Sequence, residues 1–591
     1  MFRDVATDGP LFKAKESVGV FVRNVPSLGT LLANRTQQFE RAHAVLPTDA
    51  VVGESVELTV QAWDQCERLV DGFRGSFALA ATDPDADHPD EIRFDPHNGG
   101  VTKLRNLSFE TPGVHYLVLT HDDSGERFVT NPVRVHETEP DRRLYWGDIH
   151  LHSQLSDGTG SMAKGMRFGR DVMALDVVAY TDHDTMGFFI PPSWQQKRMH
   201  RDYFERMKSV TEEFHDPGEF VTLMAYEWTK QPNRGGHINV YFDGVDEAEL
   251  FDSIATETDT YEKLWDRLRE WNKSGEGQAL TIPHHPAEKM YPFDFSAMDY
   301  DDELAPLVEV YSQWGSSERP GSDGNQYPLA MGQGEVDEPG HYVQDALELG
   351  YRVGMVASAD YHGPHPGHSL IHADAHLPSL AEWREDGLGW ANIWRVWDEG
   401  SYPGGLNAFS ATDLSRDGIF DALADRRVYG TTQPHRIVVD FAVNGTRVGE
   451  NDSTVVVDDA ETERTVEVDV AGTAPLERVE VVKNNEMVAD VTTLTSDTEG
   501  VAASDGGVDD GGDGGDEFAI AHLENGSLAE SVGDQVDLSE YVCTATITDD
   551  EPVTGMAWDE ERGTDADVYY VRVTQTDGGM AWVGPVWVEV A

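Results

Sequence analysis

The chain has 591 residues, with 44 Lys+Arg against 108 Asp+Glu and a formal net charge of −64 at pH 7. Hydrophobic residues make up 39%, which supplies large cores and argues against a disordered chain. An anionic surface of this size excludes a nucleic-acid binder that works by counterion release and a polybasic membrane-surface protein.

Of the basic residues 11 are Lys and 33 are Arg. Acid excess with few lysines is the composition of a protein kept soluble in concentrated salt, where the Debye length falls to about 3 Å. An extreme halophile's cytoplasm is the expected setting. The opening residues lack the apolar run of a secretory signal, and no stretch approaches the roughly 18 apolar residues of a membrane span. Cys66 and Cys543 are too few for a disulfide framework and read as two buried thiols.

Residues 1–140 read as mostly β. Val56, Leu58 and Val60 alternate with polar residues as in a half-buried strand, and further strands are predicted over 114–119, 128–129 and 133–135. Turn clusters at 111–113 and 122–125 separate them, so a β-sandwich-like domain is expected.

From 141 to 432 short apolar runs alternate with helical stretches, the pattern of a parallel sheet or barrel. Seven strands are expected, ending at 146–150, 175–180, 220–225, 237–241, 279–282, 307–311 and 351–357. Ser161 is placed to cap a helix over 162–173. Leu264, Trp265, Leu268 and Trp271 fall on one face of a helix over 261–271. Residues 433–591 return to β, with strands predicted at 436–441, 466–470, 479–482 and 569–573 and a strand pair over 582–590 broken at Gly584-Pro585. The Asp/Gly-rich stretch 496–517 suits either a calcium loop or a solvated excursion.

Histidines cluster where strands of the middle region end, and in βα-barrels that pole carries the active site. His150 and His152 are two residues apart on an extended chain, so both imidazoles can reach one metal ion. Asp157, Asp182-His183-Asp184, Glu227, His237, His284-His285 and Asp360-Tyr361-His362 follow at the other strand ends. So many ionisable groups on one rim need a cation to offset repulsion and lost solvation.

Gly147-Asp148-Ile149-His150-Leu151-His152 with Ser156-Asp157-Gly158, Thr181-Asp182-His183, Glu227 with His237 and Pro283-His284-His285-Pro286, and Ser358-Ala359-Asp360-Tyr361-His362 resemble the four motifs of the PHP (polymerase and histidinol phosphatase) superfamily. The likeness covers roughly 144–432. Tyr226-Glu227-Trp228-Thr229, Gly315-Ser316-Ser317-Glu318 and the closing run 581–588 resemble a PHP-related family of unknown function with β domains on both sides. The resemblance implies a distorted (β/α)7 barrel flanked by β-sandwich-like domains and a centre of two to three divalent ions, Mn, Zn or Fe. It implies one metal on His150, His152, Glu227 and Asp360, a second on Asp157, His183 and His362, and a third sharing Glu227 with His237 and His284. Either His284 or its neighbour His285 is the ligand of the fifth strand.

The implied activity is hydrolysis of a small phosphorylated substrate by a metal-bridging hydroxide. The alternatives are a hydrolase of another ester or an amide, and a binding or scaffold protein. Asp182, Asp184 or His285 would assist proton transfer, although Asp182 equally suits a role orienting His183. Arg234 and Arg319 are candidate anion clamps, or simply surface arginines. Glu318 is an orienting group or general acid, and Glu309 an orienting group or buried anchor. His365 and His368 suit a fourth metal site or a rigid Pro/Gly loop. Trp228, Trp314 and Trp390 suit ligand stacking or core packing.

Overall fold

The computed structural model describes residues 38–591 apart from 66, 188–189, 276, 332, 370–383, 388–401, 493–518 and 523–537. Cys66, Trp390 and the acidic stretch 496–517 therefore lie outside the described residues. Cys543 is buried as a free thiol.

Before residue 140 three small sheets surround one apolar core. Phe39–Val45, Val56–Asp64 and Val101–Leu107 form the first; Glu91–Arg93, Ser76–Ala81, Leu117–His121 and Arg127–Val129 the second; Asp49–Val51, Val133–His136 and Gly113–His115 the third. Leu58, Val60, Phe77, Leu117, Leu119 and Val133 meet inside. The strand Val56–Asp64 is not half-buried as expected. Its second face carries Gln61 and Trp63 against the middle of the chain, where Gln61 donates to the Val172 carbonyl at 2.6 Å and Trp63 stacks on His368 at 4.0 Å.

All seven strands expected between 141 and 432 are present: Arg143–Asp148, Val177–Tyr180, Val221–Trp228, His237–Phe242, Ala279–His284, Leu307–Ser312 and Gly354–Ala357. They do not make the parallel βα repeat that the alternation of strands and helices suggests, and no (β/α)7 barrel is shown. His237–Phe242 runs antiparallel to both of its neighbours. The reason is local: the short link 229–236 has no room for a crossover helix and closes a hairpin instead. The other adjacent strands of the seven pair in parallel. Beyond the last strand an isolated parallel bridge joins Tyr361 to Leu151, tying the end of the seventh strand to the end of the first.

Two helices follow their sequence signals. Ser161 caps Met162–Asp171 by accepting from the Lys164 N–H, and Thr260 caps Tyr261–Ser274, whose face Leu264, Trp265, Leu268 and Trp271 is buried. Gly275 ends the second helix at φ 80°, a left-handed position that suits glycine. The helices Pro192–Arg198 and Phe204–Phe214, and the unit Gly405–Ala411, Arg416–Ala424, Val428–Thr432, have no counterpart among the predicted elements. Among the described residues no helix is long and apolar enough to cross a membrane.

The hydrogen-bonded sheet runs on past residue 432. Gly405–Ala411 lies antiparallel on Arg143–Asp148, Val428–Thr432 follows it, and Met580–Val590, Asp567–Gln575, Leu476–Lys483 and Glu486–Asp490 extend the same sheet. Met580–Val590 is one strand rather than a broken pair. Gly584 and Pro585 are absorbed in a bulge opposite Tyr570. Val438–Val443, Arg464–Ala471 and Val542–Asp549 belong to a separate five-stranded sheet.

Candidate metal centre

The strands deliver the candidate side chains to one pole. Parallel strands present residues at their C-terminal ends there, and the one antiparallel strand presents its first residue, His237. In the sheet register His237 lies beside His284, and His284 beside Glu309. His183 bridges to Glu227, and the His152 N–H donates to the Tyr361 carbonyl at 2.9 Å. These pairings draw residues 150–362 into buried groups whose donor atoms lie within 4.8 Å of one another: His150, His152, Glu227, Asp360; His152, Asp157, His183, His362; His237, His284, His285; and His150, His284, Glu309.

The first group has the clearest geometry. His150 Nε2 lies 3.4 Å from Glu227 Oε2 and 3.3 Å from Asp360 Oδ1, and His152 Nε2 lies 3.2 Å from each of the same oxygens. The two Nε2 atoms are 3.3 Å apart. In a regular tetrahedron edges of this length put the centre about 2.0–2.1 Å from each vertex, the bond length of zinc and similar ions to N and O, so these donors are spaced to share one ion. His150 Nδ1 pairs with Glu309 Oε2 at 2.9 Å. With the proton on Nδ1, the Nε2 lone pair faces the two carboxylates, an arrangement that only a proton or a cation reconciles.

The same logic recurs at His237. Its Nε2 pairs with the Lys230 carbonyl at 2.9 Å, which turns Nδ1 toward Glu227 Oε1 at 2.8 Å. His183 Nδ1 is 2.9 Å from Glu227 Oε1 and 2.8 Å from Thr229 Oγ1, and its Nε2 is 3.2 Å from Asp157 Oδ1 without a hydrogen bond. His362 Nε2 stands 3.5 Å from the same oxygen. His284 is buried with neither ring nitrogen hydrogen-bonded, its Nε2 3.4 Å from Glu227 Oε2. The donor set, three carboxylates and imidazoles with buried nitrogens left over, fits divalent metal ions.

Electrostatics agree. Burial opposes charge on Glu227, yet His183, His237 and His284 hold its carboxyl well below the usual range. Asp360 is likewise held low against burial by His150 and His152. Burial lowers His285 to about 3, and burial with the His152 ring beside it lowers His362 to about 4. Burial opposes protonation of His183, but Glu227 and Asp157 raise it to about 10.

Other sequence candidates sit elsewhere. Asp182 accepts from the backbone N–H and hydroxyl groups of both Ser153 and Ser156, so it braces the loop carrying Asp157. Asp184 accepts from the N–H groups of Thr229 and Ser253. His285, at φ 35°, places Nε2 3.8 Å from Asp360 Oδ2. Arg234 is exposed on the loop before His237, whereas Arg319 is half-buried and its charge acts on Glu480. Glu318 is taken up by Tyr570, Arg572 and Trp582. His365 and His368 fall in none of the groups; His368 packs on Trp63. Trp228 is buried and donates to the Thr258 carbonyl.

Three groups support the centre; the sequence assigns no role to Asp148 or Thr229 and suits Trp314 to ligand stacking or core packing. Asp148 accepts from the N–H groups of Ala359 and Gly367 and from Gln433 Nε2, each at 3.0 Å. Thr229 contacts His183, and Trp314 Nε1 donates to Asp360 Oδ2 at 2.7 Å. Thr229 follows Glu227 by two residues, a same-face spacing that pointed to it. Trp314 is buried, and its indole N–H serves a candidate ligand rather than a stacking partner.

A family model described as a protein of unknown function (DUF3604) matches residues 161–305. An uncharacterized protein of Chlamydia trachomatis is 24% identical over 502 residues, covering 84% of this chain and 65% of its own length. An uncharacterized protein of Chlamydia muridarum is 24% identical over 505 residues with the same coverage. The chain thus spans 65% of the length of these curated relatives. A two-domain protein of Bacteroides vulgatus, described as containing a predicted PHP-like metal-dependent phosphoesterase, is 14% identical over 75% of this chain and 96% of that one, with a TM-score of 0.34.

Proposed function

We propose that the chain is a metal-dependent hydrolase of small phosphoesters, with the imidazole–carboxylate pole as its centre. The observation that supports this best is the convergence of His150, His152, Glu227 and Asp360, with both imidazole Nε2 atoms 3.2–3.4 Å from the two carboxylates. One ion would be held by these four, a second by Asp157, His183 and His362, and a third by His237 and His284 with Glu227 shared. Mn, Zn and Fe suit this donor set. Ions held there supply Lewis-acid charge to a phosphoryl group and to an attacking water.

The chain's own residues hold this arrangement. Glu309 and the Lys230 carbonyl fix the tautomers of His150 and His237, and Asp182 fixes the Asp157 loop. His285 is the alternative ligand, or, held neutral by burial, an imidazole that would face substrate. Two or three dications against Asp157, Glu227, Asp360 and Glu309 would leave the pocket neutral or positive, which is compatible with an anionic substrate on an otherwise anionic protein. Arg234 is the candidate contact for that anion. The reading extends to the fold: residues 141–432 as a distorted PHP-like barrel closed at Leu151–Tyr361, with 1–140 and 433–591 as flanking β domains, in a salt-rich cytoplasm.

The test is metal analysis of the purified chain in molar KCl, followed by a panel of phosphomonoesters, phosphodiesters and amides with Mn and Zn. Two to three equivalents of metal and phosphoester turnover abolished by Asp360→Ala and His150→Ala are expected. Less than one equivalent overturns the centre. Turnover of amides alone overturns the substrate class, and bound metal without turnover of any kind favours a binding protein.

A further inference from the structure

Residues 313–318 lie between two buried clusters that are remote from each other in sequence. At one end they grip Asp360. Trp314 Nε1 donates to Asp360 Oδ2 at 2.7 Å, Gln313 Nε2 donates to the Asp360 carbonyl, and the Gln313 N–H donates to the Ala359 carbonyl at 3.2 Å. Asp360 needs such holding, because its backbone sits at φ 49°, a left-handed conformation that costs a non-glycine residue energy unless its surroundings enforce it.

At the other end the segment is fastened to the C-terminal strands. Glu318, 2% exposed, accepts from Tyr570 Oη at 2.8 Å, Trp582 Nε1 at 2.8 Å and the Arg572 guanidinium. Arg572 is braced in turn by Glu480 Oε2 at 2.9 Å. A buried carboxylate with a charged donor and two neutral ones makes a stiff anchor. Between the ends there is little slack. The Ser317 N–H donates to the Val310 carbonyl at 2.8 Å, and a Cβ at Gly315 would meet Leu329 Cα at 2.8 Å.

We infer that the C-terminal strands set the position of Asp360, through the anchor Glu318–Arg572 and the indole of Trp314. The indole occupies Oδ2 and leaves Oδ1 facing His150 and His152 at 3.3 and 3.2 Å. Glu318 and Trp314 are then positioning residues, and the flanking β region is part of the centre's support rather than an appended binding module. The inference rests on the metal-centre reading.

Equilibrium dialysis of the full chain against Zn²⁺ or Mn²⁺ in molar KCl, with Co²⁺ absorption spectra as a second readout, separates the two. Trp314→Phe keeps the ring and removes the N–H; Glu318→Gln keeps the shape and removes the charge. Each is expected to weaken one ion by about tenfold to a hundredfold, the usual effect of losing a ligand's supporting partner, and to shift the spectrum of that ion while the remaining ions bind as in the parent. Arg572→Lys, which keeps a cation against Glu318, is expected to retain most of the affinity that Glu318→Gln loses. Parent-like affinity and spectra in both Trp314→Phe and Glu318→Gln overturn the inference while leaving the centre intact. Loss in Trp314→Phe with none in Glu318→Gln overturns the part played by the C-terminal strands. Failure of the parent chain to bind metal overturns the centre and the inference together. Should Glu318→Gln fail to fold, Glu480→Gln, one step further out on the same anchor, decides in its place.

Discussion

Two buried clusters of charge invite comparison. Between the C-terminal sheets, Arg464 and Lys483 meet Asp549 and Asp567. Arg464 Nη2 is 2.8 Å and Lys483 Nζ 2.9 Å from Asp549 Oδ2, Lys483 is 3.4 Å from Asp567 Oδ2, and Tyr569 donates to Asp549. Asp567 Oδ1 also accepts from Asn484 Nδ2 and from the N–H groups of Thr554 and Gly555. Cations and carboxylates balance there within the chain. At the other pole the charged groups beside Glu227 and Asp360 are imidazoles, with no Lys or Arg ion pair to either among the described residues, and several ring nitrogens have no hydrogen-bond partner. A structural cluster carries its own counter-charges, whereas a ligand-binding one leaves a deficit that a cation fills.

The comparison can be broken at either side. Glu227→Gln is expected to lower phosphoester turnover about a thousandfold or more, the scale of losing a main electrostatic support, with far-UV circular dichroism unchanged. An equally large loss of secondary structure would make this cluster structural too. Asp549→Ala is expected to leave metal content and turnover per folded molecule unchanged while costing about 3 kcal/mol of stability, because Arg464 and Lys483 lose the nearer of their two shared carboxylates; urea midpoints in high salt measure it.

Acid sharpens the contrast. Burial opposes charge on Asp549, but the Tyr569 hydrogen bond and Lys483 hold its folded value below the ordinary 3.8. A depressed folded value gives stability that is present above about pH 4 and lost as pH falls through the folded value. The urea midpoint of the parent is therefore expected to fall below about pH 4 more steeply than that of Asp549→Ala; parallel curves would remove Asp549 from the balance. The smallest effect concerns neither cluster. Raising KCl from about 0.1 M toward molar concentrations is expected to raise the melting temperature by screening the net charge of −64, while metal stoichiometry stays fixed.

Much of the pole was legible because strand period and residue chemistry coincide. His150 and His152, two apart on an extended chain, and Asp360-Tyr361-His362 announce themselves without a partner in view. The antiparallel run of His237–Phe242 was also written in the short link 229–236, but the alternating βα pattern around it suggested a uniform direction. Glu318 was misleading for the opposite reason. Its sequence neighbours place it beside the centre, and its partners Tyr570, Arg572 and Trp582 lie some 250 residues away, where no local pattern reaches. The unit Gly405–Ala411, Arg416–Ala424, Val428–Thr432 was passed over because small residues such as Gly405, Ala408 and Gly430 weaken the β signal. They are small because the seventh strand lies against them, with a Cβ on Gly430 meeting Ala357 N at 2.5 Å.

The pairing of Gly430 with Trp582 bears on the order in which the molecule can be made. A ribosome finishes the candidate ligands, from His150 to His362, well before it reaches Met580. Until Met580–Val590 docks, Trp582 is not beside Glu318 and the grip on Asp360 has no far end. Contacts closed over so long a stretch of chain form slowly. On the proposed reading the emerging polypeptide carries Asp360 unset, and tight metal capture would belong to the completed fold rather than to the nascent chain.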